Sequence, residues 1–165
     1  MLRFITELNA IMSGSSTKTV MTHDGYESKC ILNARPKTVE LELCKDYFPF
    51  QLPKDYLQFL ETFDGAILFN FDDIDGFQFW GCEELIKWNT FHKEHLGDFW
   101  DDKIILICAS LGDGDYIGLQ VLDCEIYEVI DAFGEEIPAN WKQIDNSFDN
   151  FLSNLVAARG RKFWL

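Results

Sequence analysis

Between Leu52 and Gly65 the chain reads LPKDYLQFLETFDG, and Tyr56, Leu57, Leu60 and Phe63 recur at the three-and-four spacing of one helical face. Pro53 suits the first turn of such a helix, because its φ is already helical and its missing N–H would have had no partner there. Gly65 offers the left-handed stop that a residue with a Cβ enters only at a cost. Ile67–Phe71 follows as a strand, so the segment is a helix–turn–strand unit. Toward the N-terminus, Ile5, Leu8 and Met12 mark one face of a short helix over about residues 2–12, ended by Ser13-Gly14-Ser15-Ser16. Residues 17–35 are ambiguous: Val20-Met21-Thr22 reads as a short strand and Asp24-Gly25 as a turn. The segment 37–46 carries Val39, Leu41 and Leu43, which alternate like a strand, but Pro36 at its start favours a helix.

Strand patterns at Ile67–Phe71 and Phe77–Trp80 flank the acidic turn Asp72-Asp73-Ile74-Asp75-Gly76. A helix is predicted over about 83–95 from Leu85, Ile86, Trp88 (or Asn89) and His92, with Glu83 and Glu84 where its dipole favours anions and Gly97 at its end. Ile104–Ala109 is a continuous apolar run, the mark of a strand buried on both faces. Two tight connections, Gly112–Asp115 and Asp123-Cys124, separate it from Tyr116–Leu122 and Glu125–Ile130, which predicts a three-strand antiparallel meander. Pro138 falls in a loop. Ser147 caps a final amphipathic helix with Phe148, Phe151, Leu152 and Leu155 inward and Gly160 near its end. Helices at the start, strands in the middle and one closing helix predict an α+β fold: a mostly antiparallel central sheet flanked by helices, in one domain over 1–165.

The 165 residues are 47% hydrophobic and 15% aromatic, too rich for disorder. Twenty-eight acids against 14 Lys plus Arg give a net charge of −14, which repels nucleic acid and anionic membranes and favours basic partners. Residues 61–102 hold eleven acids against Lys87 and Lys93, a local charge of −9. Five scattered cysteines without a C-x-x-C pair do not read as a disulfide framework. Glu7 and Asn9 interrupt the N-terminal apolar run, so it is not a signal peptide, and no run reaches the roughly 20 apolar residues of a membrane span. The expected setting is a reducing cytoplasm.

Candidate chemistry is sparse. His92 and His95 are three apart, whereas a zinc-protease helix needs two His four apart with Glu after the first. Aligning Gly76 with the glycine of a calcium loop puts Phe71 and Cys82 where acids are needed. Gly112-Asp113-Gly114-Asp115 precedes a strand, not a helix, and its aspartates repel phosphate. His23 is a loop residue beside Asp24-Gly25. A hydrolase built on clustered acids would need two carboxylates across a cleft with pKa values pushed apart, which spacing does not show. The expectation is therefore no catalytic residue, no metal and no cofactor. Trp80, Trp88 and Trp100 lie in or beside the acidic region, either as packing or as interface anchors. The basic, aromatic tail Arg159–Leu165 is either frayed or docked onto the acidic domain.

Taken together, Leu52-Pro53, Tyr56, Phe59-Leu60 and Asp64-Gly65, then Gly112-Asp113-Gly114-Asp115-Tyr116, then Ser147-Phe148 and Phe151-Leu152 resemble the SUKH superfamily, the Smi/Knr-type domain, over about residues 36–156. Ala66 departs from the second glycine that many members carry. The resemblance implies an α+β domain without enzyme activity that, in bacterial members, neutralises a cognate polymorphic toxin such as a nuclease or deaminase by binding it. Fungal relatives are linked to cell-wall signalling, which makes an intracellular protein-binding scaffold or regulator the alternative. On the immunity reading the expected partner is a basic protein toxin, with no nucleic acid and no membrane, bound by a monomer or weak dimer. The expected contact residues are Asp72, Asp73, Asp75, Asp98, Asp101 and Asp102, with Trp80 or Trp100 as apolar anchor.

Overall fold

The computed structural model describes Met1–Leu165. Five helices, α1 (Arg3–Met12), α2 (Thr38–Tyr47), α3 (Lys54–Thr62), α4 (Cys82–Leu96) and α5 (Phe148–Ala157), accompany eight strands: β1 (Thr17–Met21), β2 (Glu27–Leu32), β3 (Ala66–Phe71), β4 (Asp75–Phe79), β5 (Ile104–Ser110), β6 (Tyr116–Asp123), β7 (Ile126–Ala132) and β8 (Lys142–Asp145). All eight strands form one antiparallel sheet in chain order. The fold is α+β, and the three-strand meander is part of a longer one. The ambiguous segment 17–35 is a hairpin, with Thr17 opposite Ile31 and Met21 opposite Glu27. A further strand, β8, pairs Asp145 with Val129 at the far edge. Its sequence, Lys-Gln-Ile-Asp, holds one apolar residue and no alternation to read.

Residues 38–47 are helical despite their alternation. Cys44 is buried and Leu41 half-buried against the core, whereas Val39 and Leu43 are exposed on the outer side. The helix over 54–62 stops earlier than its pattern implies, and Pro53 is its N-cap rather than its first helical residue. Gly65 therefore serves the entry to β3: its φ is +84°, and a Cβ there would lie 2.6 Å from the Phe79 carbonyl oxygen.

Strand alternation sends Phe77 and Phe79 to one face of the sheet and Trp80 to the other. On the first face Phe79 meets Phe59 of α3 and Phe148 of α5 at 5.8 and 6.2 Å between ring centres. Phe148 also meets Phe4 of α1 edge-on at 5.6 Å and Tyr56 at 5.1 Å. Such pairs add roughly 0.5–1.5 kcal/mol beyond the area they bury. On the other face Trp80 stacks on Trp88 of α4 at 6.1 Å. Asn89 fixes α4 to β5, donating to the Leu106 carbonyl (2.8 Å) and accepting from the Leu106 N–H (2.8 Å). With helices on both faces, Ile104–Cys108 is buried throughout, as the apolar run predicts.

Three helix N-termini are closed by carboxylates from elsewhere in the fold. Asp149 accepts from the Arg3 and Phe4 N–H groups of α1 at 3.1 and 2.7 Å. Asp55 accepts from the Asp149 N–H of α5 at 2.9 Å and from the Tyr127 hydroxyl at 2.6 Å, and that hydroxyl accepts from the Phe148 N–H at 2.6 Å. Asp64 accepts from the Cys82 N–H of α4 at 2.7 Å, reaching it across Gly81, where a Cβ would have no room. Ser147 additionally accepts from Asn150 N–H, as its cap role predicts. Asp55→Ala frees both the α5 amide and the Tyr127 hydroxyl. It should lower unfolding stability by about 1–3 kcal/mol in urea denaturation. Asp55→Ala and Tyr127→Phe combined should cost less than the sum of the two, because both break one network.

Candidate protein-binding surface

The meander places its turns alternately at the two ends of the sheet, and this separates the acids that are adjacent in sequence. The β3–β4 turn carries Asp72, Asp73 and Ile74. It lies beside the β5–β6 turn, where the Leu111 N–H donates to the Gly76 carbonyl at 2.9 Å and Gly112 abuts the Ile74 carbonyl too closely for any Cβ. Asp98, Asp101 and Asp102 precede β5 and sit at the opposite end. Seven residues of β5 separate the ends, a span of about 20 Å. The expectation of one acidic patch is thus corrected to two, because antiparallel pairing of β4 with β5 sends consecutive connections to opposite ends.

At the α4–β5 end Asp98 and Asp102 are exposed and Asp101 is half-buried. Asp101 accepts from the Lys103 N–H (2.9 Å) and from the Gln120 side-chain amide (3.2 Å), so it holds the entry to β5. Lys93 reaches Asp102 at 2.8 Å, and that hydrogen bond raises the ammonium pKa. Half-buried Trp100, with Tyr47, Phe48, Pro49, Lys93 and Asp102, lines a small cleft of about 140 Å³. The Tyr47 hydroxyl and Thr90 Oγ1 are 2.6 Å apart, which joins α2 to α4 above this cleft.

Trp80, expected as a possible anchor, is 2% exposed and offers no surface to a partner in this fold. One residue past β4, it continues the strand's alternation and turns under α4, and the residues that reach solvent from that cluster are Trp88 and Phe91. Lys87 Nζ lies 4.7 Å from the Trp88 ring centre. His92 packs against Tyr116 at 4.5 Å, and burial, then the neighbouring His95, lowers its pKa. His95 stacks on Phe91 at 6.0 Å. Both imidazoles serve an aromatic cluster.

At the hairpin end the basic tail docks. Lys162 Nζ reaches Asp113 at 2.6 Å and Asp115 at 3.2 Å, with its side chain only 16% exposed. Asp115 also accepts from the Gly134 N–H at 3.0 Å, and the Trp164 indole donates to Asp131 at 2.9 Å. Phe163 and Trp164 pack on Phe151, and Trp164 on Phe77. Of the two open readings of the tail, the docked one holds. The Gly-Asp-Gly-Asp turn is therefore a receptor for the chain's own lysine. Asp73 is tied locally to Asn70, while Asp72 and Asp75 stay exposed.

A larger cleft of about 440 Å³ opens where α3, α5 and the β6–β7 turn meet, lined by Pro53, Lys54, Glu125, Ile126, Tyr127 and Ser147 among others. Asp55 and Tyr127 in its wall are consumed by the cap network described above, and Lys54 pairs with Glu125 at its rim at 3.2 Å. Burial, then the Asp55 carboxylate, raises the Tyr127 pKa, so its hydroxyl stays a donor.

An eight-stranded antiparallel meander covered by helices on both faces, acidic at each end, defines an α+β domain whose exposed chemistry is suited to holding a charged partner. The model of the SMI1 / KNR4 family (SUKH-1) matches residues 36–154, and the chain belongs to that family. The family includes immunity proteins and is associated with binding toxin partners. Comparison with curated proteins finds no match. No helix is long and apolar enough to cross a membrane.

The Lys162 clamp makes stability depend on pH in a defined way. Burial alone would raise the Asp113 carboxyl, but the hydrogen bonds from Lys162, the Asp115 N–H and Ser110, together with the lysine's charge, outweigh it and hold the pKa below the ordinary carboxylate range. Burial alone would lower Lys162, but Asp113 and then Asp115, by hydrogen bond and by charge together, outweigh it and raise the ammonium pKa. A depressed acid stabilises the fold above its unfolded pKa and loses that contribution as pH falls through the folded one. A raised base stabilises below its unfolded pKa and loses that contribution as pH rises through the folded one. Lys162→Met should therefore cost most near neutral pH, about 1–3 kcal/mol with Asp113 and Asp115 left without their cation. The gap to the native chain should close at both extremes in urea titrations across pH.

Proposed function

We propose that this chain is an immunity protein that neutralises a cognate basic toxin, a nuclease or deaminase domain, by binding it in the cytosol without chemistry of its own. Membership of a family that includes immunity proteins supports this reading. The observation that carries it is the exposed acids that the fold does not use for itself: Asp98 has no cation partner among the ion pairs, and Asp102 meets only solvent-exposed Lys93. Capping acids such as Asp55, Asp64 and Asp149 are consumed internally, so the free ones carry the outward field. A nuclease or deaminase must present a basic groove to its polyanionic substrate, and an acidic surface is attracted to that groove with fast, salt-sensitive association. Asp98 and Asp102 beside Trp100 are the proposed contacts, with Asp101 holding their loop in place.

Co-expression with the neighbouring reading frame tests the function: the toxin should kill cells only when this chain is absent, and the two should co-purify. Absence of both rescue and co-purification would overturn the reading. In stopped-flow mixing, Asp98→Lys with Asp102→Lys should slow association at low salt by about tenfold or more and flatten its salt dependence. Unchanged kinetics would remove these residues from the interface.

A further inference from the structure

We infer that the apolar centre of the docking face is the outer surface of α2 and α4, and that its occupant is a basic protein presenting apolar side chains ringed by Lys and Arg. The inference rests on the neutralising function proposed above and names the face that performs it. Val39 and Leu43, one helical turn apart on α2, are 69% and 60% exposed, and Tyr47 continues the same stripe another turn on. Phe91, on the adjoining helix, is 51% exposed, and Phe99 in the turn that follows α4 is more so. The bond between Tyr47 and Thr90 ties α4 to the α2 stripe, and Phe91, about 100° further round α4, packs with Trp88 and His95 on that helix's own outer side. α2 needs only Leu41 and Cys44 on its inner side to pack, so nothing in the fold requires Val39 and Leu43 to be apolar. Exposed apolar side chains that the fold does not need, here the α2 stripe and Phe91 and Phe99 at α4, mark an interaction site.

Charge selects the occupant. Thr38–Tyr47 and Cys82–Asp102 together hold nine acids (Glu40, Glu42, Asp46, Glu83, Glu84, Glu94, Asp98, Asp101 and Asp102) against Lys45, Lys87 and Lys93. All three lysines are already engaged, Lys45 with Glu42, Lys93 with Asp102 and Lys87 over Trp88. An apolar centre within a rim where carboxylates outnumber cations, with Asp46, Glu83, Glu94 and Asp98 outside the ion pairs, has the anatomy of an interface for a cationic protein. A second copy of this chain would bring like charge against like on a molecule of net charge −14. The face is continuous with the proposed contacts, because Tyr47 and Trp100 line the same cleft. The hairpin end differs: Asp113, Asp115 and Asp131 are taken by Lys162 and Trp164, and its exposed Asp72 and Asp75 adjoin Ile74 as the lone strongly exposed aliphatic residue.

The test is calorimetric titration of the purified chain with the protein encoded by the neighbouring reading frame, using Val39→Ser with Leu43→Ser and, separately, Phe91→Ser. Val39 and Leu43 are mostly exposed, so thermal melts of that variant should match the native chain, while Phe91→Ser gives up ring contacts with Trp88 and His95 and is compared at a temperature below its own melt. Each variant should weaken binding at least tenfold, whereas Asp72→Lys with Asp73→Lys at the opposite end should leave affinity within about twofold. Native binding that persists undiminished in the α2 and α4 variants would overturn the placement while leaving the function intact. No binding by the native chain would overturn the function and this inference with it. Self-association of the native chain in sedimentation, lost in the Val39 and Leu43 variant, would assign the face to a second copy and overturn the proposed occupant.

Discussion

Asp55, Asp64 and Asp149 hold this fold together from its corners, each placed by one element and spent on the first turn of another. The first four N–H groups of a helix have no partner within it, and a carboxylate there satisfies them and the helix dipole at once. Asp149 of α5 closes α1, Asp55 of α3 closes α5, and Asp64 after α3 closes α4. The three helices that cover one face of the sheet are thereby chained in series, with Tyr127 of β7 as a fourth member. The aromatic centre around Phe148 depends on this chain, since Phe4, Tyr56 and Phe59 arrive there on α1 and α3.

The same network divides the acids into two populations. Those with a structural partner, including Asp113 and Asp115 under Lys162, contribute to the fold and little to the outward field. Those without one are concentrated where the chain turns at the sheet ends and along α2 and α4. A net charge of −14 is thus neither a uniform coat nor a single patch. The free acids at the α4–β5 end adjoin apolar side chains, whereas those at the hairpin end adjoin a turn already locked by the tail. That contrast gives the molecule a face.

Much of the architecture was legible in the pattern of side chains. The 52–65 helix, the doubly buried β5, the Ser147 cap and the β5–β7 meander each carried a strong periodic or turn signal, and the family motifs fall on residues with identifiable work. Asp64 and Gly65 cap α4 and admit β3 beside Phe79, while Gly112 and Asp113 let one turn pass another and hold Lys162. β8 was not legible, because a four-residue edge strand leaves no pattern. The split of Asp72–Asp75 from Asp98–Asp102 was hidden too, since proximity in sequence says nothing about which end of a meander a turn occupies. The alternation of Val39, Leu41 and Leu43 was visible and read as a competing strand signal. In the fold it is the trace of a helix apolar on two sides.

Composition and periodicity by themselves determined an acidic α+β protein with a helix–turn–strand core unit, because burial and backbone preference act residue by residue along the chain. Tertiary structure alone decided which acids are free, that Trp80 faces inward while Val39 and Leu43 face out, and that the tail returns to Asp113. Those outcomes depend on what lies opposite each side chain, and only the closed sheet with its helices fixes that.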